Sequence, residues 1–186
     1  DGAYGGTVFV DEKAEVFQKE IKDAVTGLNN EAGFKMMLKD KISEKLNGVR
    51  YAVLLIRVLN YEQYCVSYSE NIQEKVDMRV AKCMTTMFRE EDILGRISND
   101  EYMVCMGHIT SRDDLRKKAE DFCVQLNKVT RESEGGKIEV TIGVALFPMD
   151  GEDYDTLYHK AETALKTGMK EKENVIFYDI SLEAES

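Results

Sequence analysis

The chain has no tryptophan, one proline (Pro148) and two histidines (His108 and His159) in 186 residues. A single proline excludes Pro-rich linkers. Two histidines leave little material for a zinc cluster or a His-based catalytic triad. The four cysteines, Cys65, Cys83, Cys105 and Cys123, form no CxxC pair and no small secreted framework. Reduced thiols in the cytoplasm are therefore expected. Long apolar runs are missing too. The longest, residues 52–56, suits a buried strand and falls far short of the roughly 18 residues of a membrane span. Positive charge is in deficit, with 25 Lys and Arg against 35 Asp and Glu, a net −10. That excludes the basic stripe wanted by a nucleic-acid groove or an anionic membrane surface. A nucleotide ligand stays open, because a few placed cations hold a phosphate. No secretory segment follows Asp1, and the chain does not start with Met. It reads as a soluble, cytoplasmic fragment of something longer, with a membrane anchor elsewhere in the whole protein left open.

What is present is 43% hydrophobic and 32% charged, enough for one domain with a real core. Tyr4 to Val10 reads as a short strand left from an upstream domain. From Asp11, the spacing of Ala14, Phe17, Ile21 and Ala24 predicts a helix with a narrow apolar seam. That seam suits a two-helix coiled coil or packing on its own domain. Turn residues at 26–30 follow, and Asn30 caps a helix with Phe34, Leu38, Ile42 and Leu46 on one face. Tyr51 to Leu59 is an apolar strand broken only by Arg57. Asn60 to Phe88 reads as one long helix. Two short strands, 92–97 and 102–106, flank a hairpin loop at 98–101. A helix from Ser111, a strand at 138–147, a helix through Leu157 and Leu165, and a strand at 175–178 complete the chain.

From Tyr51 to Phe147 the order is strand, helix, strand, strand, helix, strand, the ferredoxin-like βαββαβ unit of an α+β fold. Right-handed crossovers place the first strand beside the third, antiparallel, in mid-sheet. The end of the first strand and the hairpin loop then meet. This brings Arg57, Asn60, Ser98, Asn99, Asp100 and Glu101 to one edge.

These residues resemble the GGDEF family, the diguanylate cyclase domain. Residues 23–30, Asp-Ala-Val-Thr-Gly-Leu-Asn-Asn, are similar to the DxLTGLxN motif. Ser98-Asn99-Asp100-Glu101-Tyr102 stands where the GGDEF signature belongs. Residues 140–145 with Pro148 resemble VSIGVAxxP, residues 161–165 resemble ADxAL, and Asn174 ends a GRN-like element. Gly6 to Glu15 resembles the exit of a PAS sensor, which implies an upstream sensor domain. The expected layout is a strand fragment and linker helix over 1–22, a GGDEF-like domain over 23–180 and a tail over 181–186. The expected sheet is five-stranded and mainly antiparallel, flanked by helices, as in the nucleotide cyclase fold.

The resemblance implies two domains facing each other as a homodimer, each holding GTP and Mg²⁺, with carboxylates on the first strand and in the hairpin gripping the metal. Most of the implied positions carry other residues here. The metal-binding Asp falls on Arg57, and the strand's second Asp on Leu59. The guanine readers fall on Cys65 and Glu74. The signature glycines are Ser98 and Asn99, and the phosphate cations are Met169 and Glu173. Asp100 and Glu101 keep the catalytic acids of the signature. The expectation is a degenerate, non-catalytic module with no cofactor; Asp100 is the metal ligand if there is one. The alternative is an active cyclase with rearranged ligands using Mg²⁺ and GTP. Arg89 and Asp92 keep the RxxD spacing of the family's inhibitory site for cyclic di-GMP. A guanine nucleotide, cyclic di-GMP or GTP, is the expected small-molecule partner.

Overall fold

The computed structural model describes the backbone of residues 2–44 and 48–185, and the side chains of 12–44 and 48–184. Leu46, expected on the face of the second helix, lies outside the described residues. In chain order the elements are α1 (Gly2–Ile21), α2 (Glu31–Ser43), β1 (Tyr51–Val58), α3 (Tyr61–Ser67), α4 (Glu70–Met87), β2 (Ile93–Ser98), β3 (Glu101–Met106), α5 (Arg112–Arg131), β4 (Val140–Phe147), α6 (Tyr154–Glu171) and β5 (Val175–Phe177). A 3₁₀ turn, Ile180–Glu185, follows. Among the described residues, no helix is long and apolar enough to cross a membrane.

The sheet order is β2-β3-β1-β4-β5. β1 lies in the middle, antiparallel to both β3 and β4, and only β4–β5 is parallel. The apolar run of β1 now has a cause, because both faces of the sheet are covered. Alternate residues Ala52, Leu54, Ile56 and Val58 pack with Val80 and Met84 of α4 and Phe122 and Leu126 of α5. Val53 and Leu55 face the other way, against Phe34 and Leu38 of α2 and Leu157 and Leu165 of α6. Each fully buried Leu or Ile in this layer contributes about 1.5–3 kcal/mol. On β4, Gly143 sits directly beneath α6, where a Cβ would overlap the Ala161 carbonyl. That glycine sets the close helix–strand approach.

Two sequence expectations need correction. The segment Tyr4–Val10 is not a strand; α1 runs through it as one helix. Its β-branched residues carry only a weak β preference, and a helix supplies its own backbone partners where no neighbouring strand offers any. The single helix over 60–88 is two. Tyr68 is extended, and the Ser69 hydroxyl accepts from the Ile72 amide to start α4 afresh. The Gln73 amide donates to the carbonyls of Cys65 and Tyr68, fixing the break.

Candidate functional site

The β2–β3 hairpin closes through a two-residue loop, Asn99–Asp100, with Ser98 opposite Glu101. The Asp100 carbonyl accepts from the Val58 amide at 2.8 Å, and Arg57 lies opposite Glu101 in the ladder. The signature is thereby held against the last residues of β1, as the topology requires. A short loop suits this register, because one slip would turn Glu101 to the other face.

Arg57 is the centre of this edge. Its Nη2 donates to Glu101 Oε2 at 2.8 Å and to Glu162 Oε2 at 3.2 Å, and its Nη1 lies 3.9 Å from Met169 Sδ. The Tyr158 hydroxyl donates to the other Glu101 oxygen at 2.9 Å. Burial opposes the charge on Arg57, but Glu101 and Glu162 outweigh it and hold the guanidinium above its ordinary value. Burial, with Glu101 beside it, pushes the Tyr158 hydroxyl well up, so it remains a donor. Asp100 takes no part; it accepts from the Ser98 hydroxyl at 3.0 Å. Glu162 and Tyr158 were not singled out in the sequence. Both lie one helical turn apart on α6, the only signal available for them.

The other implied positions divide into groups. Leu59, Met169 and Glu173 line a surface groove of about 620 Å³ between the C-terminal ends of α5 and α6, and Leu59 and Met169 are each 43% exposed. Cys65 lies half-buried on α3 and Glu74 exposed on α4. Burial, and then the Cys65 thiol, push the Tyr61 hydroxyl up to about 12. Asn99 contributes its carbonyl, which accepts from Arg96 Nη2 at 3.0 Å. Asp92 is 8% exposed and turned inward, accepting from the amides of Arg89 and Gly107. The Arg89 side chain points outward, 3.9 Å from Glu91. Among the described residues, no three His, Cys, Asp or Glu side chains are grouped to hold a metal.

A second arginine, which the motif comparison passed over, sits behind the hairpin. Arg96 on β2 is 5% exposed at its side chain; its Nη2 meets Asp77 Oδ2 of α4 at 2.8 Å and its Nη1 meets Asp23 Oδ2 at 3.5 Å. The Tyr102 hydroxyl lies 3.5 Å from the other Asp77 oxygen. A charge inside the short apolar strand 93–97 was the signal that could have found it.

The sequence matches the family model described as diguanylate cyclase, GGDEF domain, over residues 20–175. The diguanylate cyclase TpbB of Pseudomonas aeruginosa is 25% identical over 158 residues, which cover 83% of this chain and 36% of TpbB. The cyclic di-GMP phosphodiesterase NbdA of the same organism is 22% identical over 151 residues, 77% of this chain and 18% of NbdA. The chain thus spans about a third or less of these relatives. Among solved structures, the coiled coil and GGDEF domain of DgcB from Caulobacter crescentus, in complex with c-di-GMP, superposes with a TM-score of 0.78 at 14% identity, covering 95% of each chain. The isolated GGDEF domain of TpbB gives 0.74 at 20% identity, over 88% of this chain and 98% of that one. With the profile match spanning most of the sequence and the fold in agreement, the chain belongs to the diguanylate cyclase GGDEF domain family.

Proposed function

We propose that this GGDEF domain serves cyclic di-GMP signalling as a non-catalytic regulatory module. The observation that carries the reading is Arg57. Its guanidinium is bound to Glu101 at 2.8 Å, on the strand where the family resemblance expects a metal-binding carboxylate. A fixed cation there repels a divalent ion and neutralises Glu101, while Asp100, the ligand that the resemblance implies, stands apart on the Ser98 hydroxyl. The residues present do not suit Mg²⁺. The implied phosphate positions have also changed, in a groove whose cations are Lys128, Arg131, Lys137 and Lys172. Met169 and Glu173 offer no positive charge, and Ser98 and Asn99 set side chains where glycine lets backbone amides approach. The lost electrostatic stabilisation is worth several kcal/mol, and each 1.4 kcal/mol is about tenfold in rate.

The partners fit a relay. Phe17 of the α1 seam is 46% exposed and its neighbour Val16 57%, apolar surface suited to a second copy in a homodimer and to a sensor placed upstream. A guanine nucleotide contact at Arg89 is the second reading. It is favoured by a guanidinium that is more than half exposed, beside a turn that Asp92 holds in shape.

The test is direct. Purified dimeric protein is incubated with GTP and Mg²⁺ or Mn²⁺ and the products are separated by chromatography. No cyclic di-GMP is expected; its appearance would establish the active-cyclase alternative instead. Calorimetric titration with cyclic di-GMP, on the protein and on Arg89→Ala, decides the second reading. Heat that vanishes with Arg89 supports it, and no heat at millimolar ligand removes it.

A further inference from the structure

We propose that Arg96 is a three-way lock that makes the end of the linker helix α1, the long helix α4 and the signature hairpin move as one unit, with Asp77 as the positioning residue that sets it. No motif of the chain assigns a role to Asp77, and the lock is independent of whether the domain is catalytic.

The path begins at the C-terminus of α1. The Ile21 carbonyl accepts from the Asn30 amide at 2.9 Å, and the Glu20 carbonyl accepts from the Asn30 side chain at 2.7 Å. These bonds take up two of the carbonyls that a helix end leaves without intrahelical partners. The next residue back, Asn29, grips the edge strand β2 twice. Its side chain donates to the Leu94 carbonyl at 2.9 Å, and its own carbonyl accepts from the Arg96 amide at 2.8 Å. The strand can come this close because residue 95 is glycine; a Cβ there would lie 2.9 Å from Phe34 and 3.2 Å from the Asn29 carbonyl. The backbone of β2 is therefore fastened to the lead-in turn at residues 23–30.

The Arg96 side chain carries the connection onward. It meets Asp23 in the turn at 3.5 Å, Asp77 on α4 at 2.8 Å and the Asn99 carbonyl at the hairpin tip at 3.0 Å. Three separate elements thus converge on one guanidinium. The side chain is almost fully enclosed, and its Nε–H has no acceptor. Such a group cannot leave one partner for water without loss, which restricts it to discrete arrangements. Buried ion pairs add little net stability compared with apolar packing, so fixing geometry is the better account of this one. Asp77 determines which arrangement is held. One carboxylate oxygen takes the shortest of the three contacts, and the other faces the Tyr102 hydroxyl at 3.5 Å. Asp77 thereby anchors both the lock and the signature tyrosine to α4.

Amide hydrogen exchange, read by mass spectrometry on peptides of this chain, tests the coupling. Wild type is compared with Asp77→Asn, which keeps shape and removes charge, with Arg96→Lys, which keeps charge and loses the fork, and with Lys75→Ala as an exposed control on the same helix. In both lock variants exchange is expected to rise roughly tenfold in two separated places, the hairpin at 97–101 and the turn at 23–30, with β4 and α6 unchanged. Lys75→Ala should change neither. A rise confined to α4, a uniform rise over the whole chain, or no rise in the turn overturns the proposal.

Discussion

The two arginines flanking the hairpin have nearly the same surroundings and different consequences. Arg57 and Arg96 each meet two carboxylates, one at 2.8 Å, with a tyrosine hydroxyl on the nearer acid. The Arg57 side chain is 19% exposed at the strand ends, whereas Arg96 is 5% exposed within the fold. What separates them is what remains when the arginine goes. Glu101 would keep a close donor, the Tyr158 hydroxyl at 2.9 Å. Asp77 would keep only a long contact to Tyr102, at 3.5 Å. The same chemistry is therefore a replaceable filler at one position and a structural tie at the other.

The comparison breaks most visibly at Arg96. Arg96→Ala leaves Asp77, 14% exposed at its side chain, without its cation, and removing one partner of a buried pair costs up to about 3–5 kcal/mol. A urea or thermal melt should register most of that loss. A change under 1 kcal/mol would mean that the site is wetter than its burial indicates.

The acids around Arg96 should then separate by pH. Burial dominates Asp77 and raises its carboxyl above the ordinary value near 3.8, with Arg96 offsetting only part of the effect. Burial also works against Asp23, but donors from Thr26, at 2.8 and 2.7 Å, and Arg96 bring it below that value. The signs are opposite. A raised carboxyl binds its proton more tightly in the folded state, so the contribution of Asp77 grows as pH falls towards 3.8 and is lost above its folded pKa. The contribution of Asp23 is present above 3.8 and is lost as pH falls below it. In melts between pH 6 and 3, the wild-type advantage over Asp77→Asn should increase on acidification, while the advantage over Asp23→Asn should shrink. Parallel curves would contradict this assignment.

These clusters also mark how far the sequence could be read. The βαββαβ order, the central place of β1 and the hairpin opposite it follow from apolar periodicity and crossover handedness, because those rules act on many residues at once. Arg57 was legible because it interrupts an apolar run. Asp77 was not. It neighbours the buried Val76 on a helix whose other charges face water, and periodicity cannot separate an acid at the rim of the apolar face from a solvated one. Glu162 was hidden in the same way beside Ala161. The break at Tyr68–Ser69 was missed because a serine cap inside a helix-compatible run is a weak local signal beside eighteen residues of apolar spacing. The lead-in turn was visible as turn chemistry. Its double grip on β2 was not, since contacts between residues 29 and 94–96 are set by tertiary packing.

At Arg57 the effects become smaller. Arg57→Ala leaves Glu101 and Glu162 near each other, with Tyr158 and Lys166 still close by. The side chains are 11–22% exposed, but Glu101 keeps its Tyr158 donor, so the loss should lie nearer the about 0–1 kcal/mol of exposed pairs than the about 3–5 kcal/mol of a fully enclosed one. A melt should move little, by far less than for Arg96→Ala. A loss above 2 kcal/mol would place Arg57 with Arg96 as a structural tie.

The smallest change in activity is expected from the substitution that looks most restorative. Arg57→Asp returns the residue type that the family resemblance expects at the metal position, and it places a third carboxylate beside Glu101 and Glu162. Three acids converging without a counter-charge repel one another, and a divalent cation relieves that repulsion. The variant should therefore be less stable than wild type in chelator and should regain thermal stability when Mn²⁺ or Mg²⁺ is added, a response that wild type lacks. Cyclic di-GMP should still not appear. On the proposed reading metal alone does not suffice, because Met169, Glu173, Ser98 and Asn99 stand where the family resemblance expects phosphate cations and glycines. Nor does it read the base, where Cys65 and Glu74 stand apart on α3 and α4. Metal-dependent stabilisation without product would support the non-catalytic reading and spread its cause over several independent contacts. Product from this single variant would place it in Arg57 alone, and the regulatory reading would then describe an enzyme held off by one side chain.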